Sequence, residues 1–278
     1  MNSKLRKTIR IASIDIGRVN FAQYVEEFDV ETILNLEKRY KKLPKKLQRR
    51  VKGNMNQEIS AIIDELSVAG TRITTGVYSF TDEANQSYDN RVRLTLLSHL
   101  NYFEHVWDEC DIIVIEQQFY SMPKTSKRSK VQNNNAAGAN VAAIQLGEAV
   151  YMYFFQKYGN LKHITYFPSE YKTHILGAPV GLNKTQRKQW STEFAEQIYS
   201  MRNDQDMINV YALARDVKRK QFKTEKRIRE FRDIYACESD DAKILCDKVI
   251  REKQKLDDIS DALNQLLAYI FRTMIACF

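Results

Sequence analysis

The chain is poor in residues that interrupt regular structure. Its 278 residues include only four prolines and nine glycines, so long helices and strands can run unbroken. Cysteine is also scarce. Cys110, Cys237, Cys246 and Cys277 lie scattered with no CxxC pair, which argues against a zinc knuckle or a disulfide framework and fits a reducing, intracellular compartment. The four histidines (His99, His105, His163 and His174) show no HExxH or other ligand spacing, and His99 and His105 read as structural. There is no glycine-rich phosphate loop, so no nucleotide cofactor is expected. No run of about 18 apolar residues exists, which removes a membrane-spanning helix. The opening MNSKLRKTIRIASIDIG enters a strand pattern within a few residues, leaving no room for a signal or transit peptide.

What the chain does have is an ordinary apolar fraction, 44%, and an excess of base. Lysine and arginine number 43 against 35 acids, a net charge of +8. That balance favours a polyanionic partner, nucleic acid before an acidic membrane. TIRIASIDIG is a β-branched run that predicts a strand ending on Asp15, and NFAQYVEEF alternates as its antiparallel partner. Residues 31–69 read as inserted helices before a strand at TRITTGVYSF. Residues 90–109 carry one helical period, with Val92, Leu96, Leu97, Leu100, Phe103 and Val106 or Trp107 inward. CDIIVIEQQ is a nearly continuous apolar run of the kind buried on both faces, and it carries Glu116 at its end. A polar loop, 121–135, precedes a helix at 136–158 rich in alanine and glycine. LKHITYFP predicts another strand, and SEYKTHILGA and KTQRKQWSTEFAEQIYSM two helices. Residues 202–252 form a second charged, helical insertion. The order predicts one α/β domain spanning 1–278 around a mixed sheet.

KLDDISDALNQLLAYIF, 255–271, closes the pattern as an amphipathic helix. Leu256, Ile259, Leu263, Leu266, Leu267 and Ile270 share one face, and Asp257, Asp258 and Asp261 stand at its start. An aspartate there is favoured by the helix dipole, by about 0.3–1 kcal/mol. An acid ending an apolar strand is different, because an ionised carboxylate out of water costs several kcal/mol unless a cation compensates it. Asp15 and Glu116 are two such acids, though each could also face solvent or cap a turn. With an i, i+3 acid pair they would make an oxygen-ligand site for two Mg²⁺ ions, with Mn²⁺ as a substitute, suited to phosphodiester hydrolysis.

ASIDIGRVNFA, VIEQQF, QLGEA, YFPSEYKTHILGAPVGLNKTQ and KLDDISDAL, in that order, resemble the motifs of RuvC-type Holliday junction resolvases, most closely the branch found in poxviruses and other large DNA viruses. The resemblance covers roughly residues 8–28, 70–200 and 253–271, and leaves the two insertions outside. It implies a ribonuclease H-like fold with a mixed five-stranded sheet flanked by helices. It also implies a homodimer that nicks opposed strands of four-way junction DNA. By the same resemblance, Asp15, Glu116, Asp258 and Asp261 match the metal-binding carboxylates, with Asp257 plus Asp261 as an alternative register. Lys184 matches a lysine near the scissile phosphate. Phe119 matches an aromatic that stacks at the junction centre, where Tyr120 competes for the role. Lys172 matches a basic position against the DNA backbone, or else is a solvated surface lysine. The viral likeness would place the protein in the cytoplasm, with the nucleus as the alternative.

Basic segments fit a DNA-facing surface. They are residues 38–52, the loop residues Lys124, Lys127, Arg128 and Lys130, and, less purely, 215–232. Solvated charge is the plain reading of such runs. In the helix at 136–158, small residues predict close approach to the sheet or to a twin helix of a second copy. Two other functions fit the same residues: a ribonuclease H-like nuclease acting on other branched DNA or RNA–DNA hybrids, and a non-catalytic DNA-binding protein on that fold.

Overall fold

A computed structural model of the chain describes residues 7–17, 19–48, 55–81, 89–118, 141–219, 230, 233–252 and 256–277. The β-branched runs pair as one sheet. β1 (Thr8–Asp15) is antiparallel to β2 (Phe21–Asp29), which is antiparallel to β3 (Thr71–Tyr78). On its other edge β1 pairs in parallel with β4 (Ile112–Gln117), and β4 in parallel with β5 (His163–Pro168). The resulting order is β3-β2-β1-β4-β5, a mixed five-stranded sheet as the sequence led us to expect.

Between β2 and β3 lie α1 (Val30–Lys42), α2 (Lys45–Gln48) and α3 (Gln57–Ala69). Asp29 caps α1 by accepting from the Thr32 amide, and Asn56 caps α3 through the Glu58 amide. α4 (Asn90–Tyr102) and α5 (Glu104–Glu109) precede β4, and α6 (Val141–Tyr158) follows it. After β5 come α7 (Tyr171–Ile175), α8 (Lys184–Arg202), α9 (Gln205–Arg219), α10 (Asp240–Glu252) and α11 (Asp257–Ile270), which runs on into a π turn at Phe271–Ile275.

Strand alternation divides the apolar residues between two cores. Ile11, Ala22, Tyr24, Phe28, Ile112 and Val114 face a layer that includes Leu36 of α1, Ile62 and Leu66 of α3, Ile198 of α8, Val210 of α9, Leu245 of α10 and Leu263 and Leu267 of α11. Ala12, Ile14, Phe21, Val25, Ile113 and Ile115 face α4, α5 and α6. The same alternation puts Ser13, Asp15 and Glu116 on the α11 side. Helices from both insertions thus share the larger core. The second is also tied to the sheet by charge. Arg72 of β3 makes a two-pronged contact with Asp204 (2.7 and 3.0 Å), reaches Asp241 at 2.9 Å and lies 3.6 Å from Asp206.

The structure departs from the sequence reading in several places. The helix expected at 90–109 is two helices, broken at Phe103, whose φ and ψ are −91° and 13°. The Trp107 indole donates to the Leu100 carbonyl at 2.9 Å across the break, taking up an acceptor at the end of α4. Leu97, expected inward, is 42% exposed, because it lies off the Val92–Leu96–Leu100 stripe. Close approach to the sheet does not explain glycine in α6: among the described residues a methyl on Gly147 would meet Ile16 Cγ1 at 3.8 Å, an ordinary contact. Two of the scattered cysteines are neighbours, with the sulfurs of Cys237 and Cys246 3.4 Å apart. Expectations for Phe119, Tyr120, Lys124, Lys127, Arg128 and Lys130, and for helix at 136–140, fall outside the described residues. Among the described residues no helix is long and apolar enough to cross a membrane.

Candidate active site

The sheet register positions the first two acids. Parallel pairing matches Ile11 to Ile112 and Ile14 to Ile115, so the next residues, Asp15 and Glu116, end neighbouring strands at the same edge. Both are buried, at 8% and 6% exposure. α11 brings the others. Its apolar stripe docks on the sheet, and its polar face is buried too. Gln265 donates to Ser13 Oγ at 3.1 Å and to the Ile14 carbonyl at 3.2 Å, and Ser260 pairs with the Tyr211 hydroxyl at 2.6 Å. Those bonds fix the rotation of α11 and hence the direction of its first turn.

At the focus of the acids sits Lys172, from α7. Its ammonium lies 3.0 Å from Glu116 Oε1, 3.0 Å from Asp261 Oδ2 and 3.8 Å from Asp15 Oδ2. It is 7% exposed, so it is not a solvated surface lysine. The remaining oxygens of two acids are held by side chains: Gln118 donates to Glu116 Oε2, and Ser191 Oγ donates to Asp261 Oδ1 at 2.6 Å. Asn264 in turn donates to Ser191 Oγ at 2.7 Å. Asp257 is buried and pairs through Oδ2 with Lys188 of α8, while its Oδ1 has no hydrogen-bond partner among the described residues.

Concentrated charge out of water sets the protonation. Burial drives the Asp15 carboxyl well above its usual range; the Glu116 charge pushes the same way and Lys172 opposes it. Asp258 is pushed up to about 7, first by burial and then by Asp257, against Lys188. For Lys172, burial favours the neutral amine. Asp15, Asp261 and Glu116 outweigh it and hold the ammonium well above its ordinary value.

Asp15, Glu116 and Asp261 therefore gather around Lys172, with Asp257 and Asp258 on the same helical turn as Asp261. Lys184 is not among them. It is exposed at the first position of α8, and the lysine that touches an acid is Lys188, one turn later. Lys188, Ser191 and Gln118 are site residues that the sequence reading passed over. A signal existed for two of them. The buried stripe of α8 runs Ser191, Ala195, Ile198, and Lys188 continues it one turn towards the N-terminus.

The donor set is all oxygen, the kind that hard divalent cations take, and Asp257 Oδ1 is a buried acceptor without a donor. The residues fit such an ion in chemistry. Their arrangement is closed on an ammonium: among the described residues no group of three or more potential ligands stands at metal-holding spacing.

Comparison with known proteins finds no matching family model. "Uncharacterized protein 170L" of Invertebrate iridescent virus 6 is 23% identical over 195 residues, spanning 69% of this chain and 68% of that protein. Among solved structures, the fowlpox virus Holliday junction resolvase aligns over 94% of this chain and 98% of its own, with 12% identity and a TM-score of 0.41. RuvC of T. thermophilus in complex with a Holliday junction substrate aligns over 97% and 98%, with 11% identity and a TM-score of 0.39. The likeness is one of general fold.

Proposed function

We propose that the chain is a metal-dependent, structure-selective DNA endonuclease that resolves four-way junctions by paired nicks. The observation that carries this reading is the convergence of Asp15, Glu116 and Asp261, from β1, β4 and α11, on one buried point. Three acids gathered from distant parts of the chain are costly unless a cation is part of their purpose. Asp15, Glu116 and Asp261 would hold divalent ions, together with Asp258 or Asp257. Ions bound there would supply a polarised attacking water and neutralise charge on the leaving oxygen of a phosphodiester. Ser191 and Gln118 orient two of the carboxylates, and α11 keeps bulk water from the floor of the site.

The motif resemblance supplies the four-way junction as substrate, and the net charge of +8 suits a phosphate backbone. Lys38, Arg39, Lys41, Lys42, Lys45 and Lys46, on α1 and α2, are exposed and favour the same partner. Lys172 and Lys184 serve in this reading as cations near the phosphate, and Phe119, Lys124, Lys127, Arg128 and Lys130 as contacts of the junction centre and arms. A homodimer gives the two symmetric cuts. Its support is the apolar surface of α4 and α6, where Leu94, Leu97, Tyr102, Val141, Met152 and Phe155 are exposed.

The test is cleavage of a synthetic four-way junction in Mg²⁺ by wild type and Asp15→Asn side by side. Wild type should give paired nicks and Asp15→Asn none. Tight junction binding by wild type without nicking in Mg²⁺ or Mn²⁺ sinks the enzyme reading. Equal cutting of linear RNA–DNA hybrids would move the substrate away from junctions.

A further inference from the structure

The oxygens that face the focus of the site are already taken. Glu116 gives Oε1 to Lys172 and Oε2 to Gln118; Asp261 gives Oδ2 to Lys172 and Oδ1 to Ser191. An ion joining Glu116 to Asp261 must use the oxygens that Lys172 holds, because the other two point to their own donors. A metal–oxygen bond of about 2.1 Å on an oxygen 3.0 Å from the ammonium would leave two cations within about 5 Å in a buried, weakly screened place. Both cannot stay. Lysine suits an exchange of this kind, because it is a point charge on a flexible four-carbon stem.

We propose that Lys172 is a built-in counter-cation that competes with divalent metal for Glu116 Oε1 and Asp261 Oδ2, so that the site loads only when the lysine side chain withdraws. The inference rests on the metal-dependent reading above and adds its regulation. With the site unloaded, Lys172 holds Asp15, Glu116 and Asp261 together and keeps the fold intact. On loading, the ammonium is released beside the incoming ion, where a backbone phosphate of the substrate is its natural new partner. Lys172 therefore links metal loading to substrate binding: a phosphate that receives the displaced ammonium favours the loaded state.

Metal binding without DNA tests this directly. Free Mn²⁺ is counted by electron paramagnetic resonance during titration of wild type and Lys172→Met. Loss of the competing charge should tighten Mn²⁺ binding at least about tenfold, a modest fraction of the interaction between unit charges at this range. Equal or weaker binding by Lys172→Met, with wild type binding in the same assay, overturns the competition and leaves the metal-dependent reading intact. Absence of Mn²⁺ binding by both overturns the two together. Because Lys172→Met leaves buried acids uncompensated, wild type is followed in parallel, by acylation of the Lys172 amine read by peptide mass spectrometry. Saturating Mn²⁺ should speed acylation of Lys172. An unchanged or slower rate with Mn²⁺ bound overturns the proposal even if Lys172→Met does not fold.

Discussion

Lys172, which is buried, and Arg72, which is partly buried, each face three carboxylates, and they are held differently. Around Arg72 the acids are anchored by backbone. Asp241 accepts from the Thr75 and Ala242 amides at 2.9 Å each, Asp204 from the Met207 amide at 3.2 Å, and Asp206 from the Ser239 amide at 3.0 Å. The planar guanidinium adds its fork to acids that are already fixed, and every partner is a turn or helix start that would loosen without it. Around Lys172, the partners of Glu116 and Asp261 are an amide and a hydroxyl on side chains, and Asp15 lies at 3.8 Å from the lysine ammonium. The first cluster staples α9 and α10 to β3. The second keeps charge available. The difference shows that a buried ion network is read best from what else its acids hold.

Substitution should separate the two clusters most sharply in activity. Asp15→Asn is expected to lower junction nicking by more than about 100-fold, since even partners of metal ligands cost 10–100-fold when lost. It should not lower the urea midpoint, because Asp15 is an under-compensated buried acid. Asp241→Ala should do the reverse, with little change in the rate per folded molecule and a clear loss of stability. Arg72→Ala should go furthest in stability, by about 3–5 kcal/mol, as three acids lose their shared cation. Urea denaturation of the three variants beside a single-turnover nicking assay checks all of this. Loss of nicking in folded Asp241→Ala would erase the contrast.

The parts of this architecture that local sequence determines were legible in it. Strand alternation places Ile11 and Ile112 opposite Ile14 and Ile115, and the strand ends at Asp15 and Glu116 follow from where the apolar runs stop. The stripe Leu256–Ile259–Leu263–Leu267 predicts that α11 docks. What could not be read depends on contacts between distant segments. The break at Phe103 is the local exception, bridged by the Trp107 indole reaching back to the Leu100 carbonyl. A lysine is exposed by default, and only the arrival of α7 between β1, β4 and α11 buries Lys172. The polar face of α11 is covered by α8 and α9, which are distant from it in sequence. Lys184 and Lys188 share a helical face, so spacing alone does not choose between them.

A pH series sharpens the comparison further. Asp258 is pushed up to about 7 by burial beside Asp257, so in the folded chain it keeps a proton that the unfolded chain releases near pH 4. Its contribution to stability is therefore fully present below about pH 4 and is lost as pH rises towards about 7. Glu26, buried beside Arg202, is likewise pushed up to about 7 and acts in the same direction. His99, pushed down to about 4 by burial, opposes both below about pH 6.5, so wild type should lose urea resistance most clearly between about pH 6.5 and 7.5, at a slope of at most about 1.4 kcal/mol per pH unit for each group. Asp258→Asn should remove part of that loss. Over the same range Mn²⁺ binding should strengthen, as Asp258 becomes an anion. A fold that gains stability with pH in this window would contradict the assignment.

The smallest expected effects decide between the two lysines of α8. Lys188 pairs with Asp257, but its side chain is 43% exposed, and such pairs contribute less than about 1 kcal/mol. Lys188→Ala should therefore barely move the urea midpoint, and Lys184→Ala, at the exposed start of the helix, should not move it at all. Nicking separates them. Lys188 sits on an acid whose second oxygen has no donor, so its loss should disturb the site, whereas Lys184 touches none of the acids. Under single-turnover conditions Lys188→Ala should be slower than Lys184→Ala. If Lys184→Ala is the slower enzyme at unchanged stability, the lysine indicated by motif order is the one that serves the phosphate, and the apo geometry of α8 changes when DNA binds.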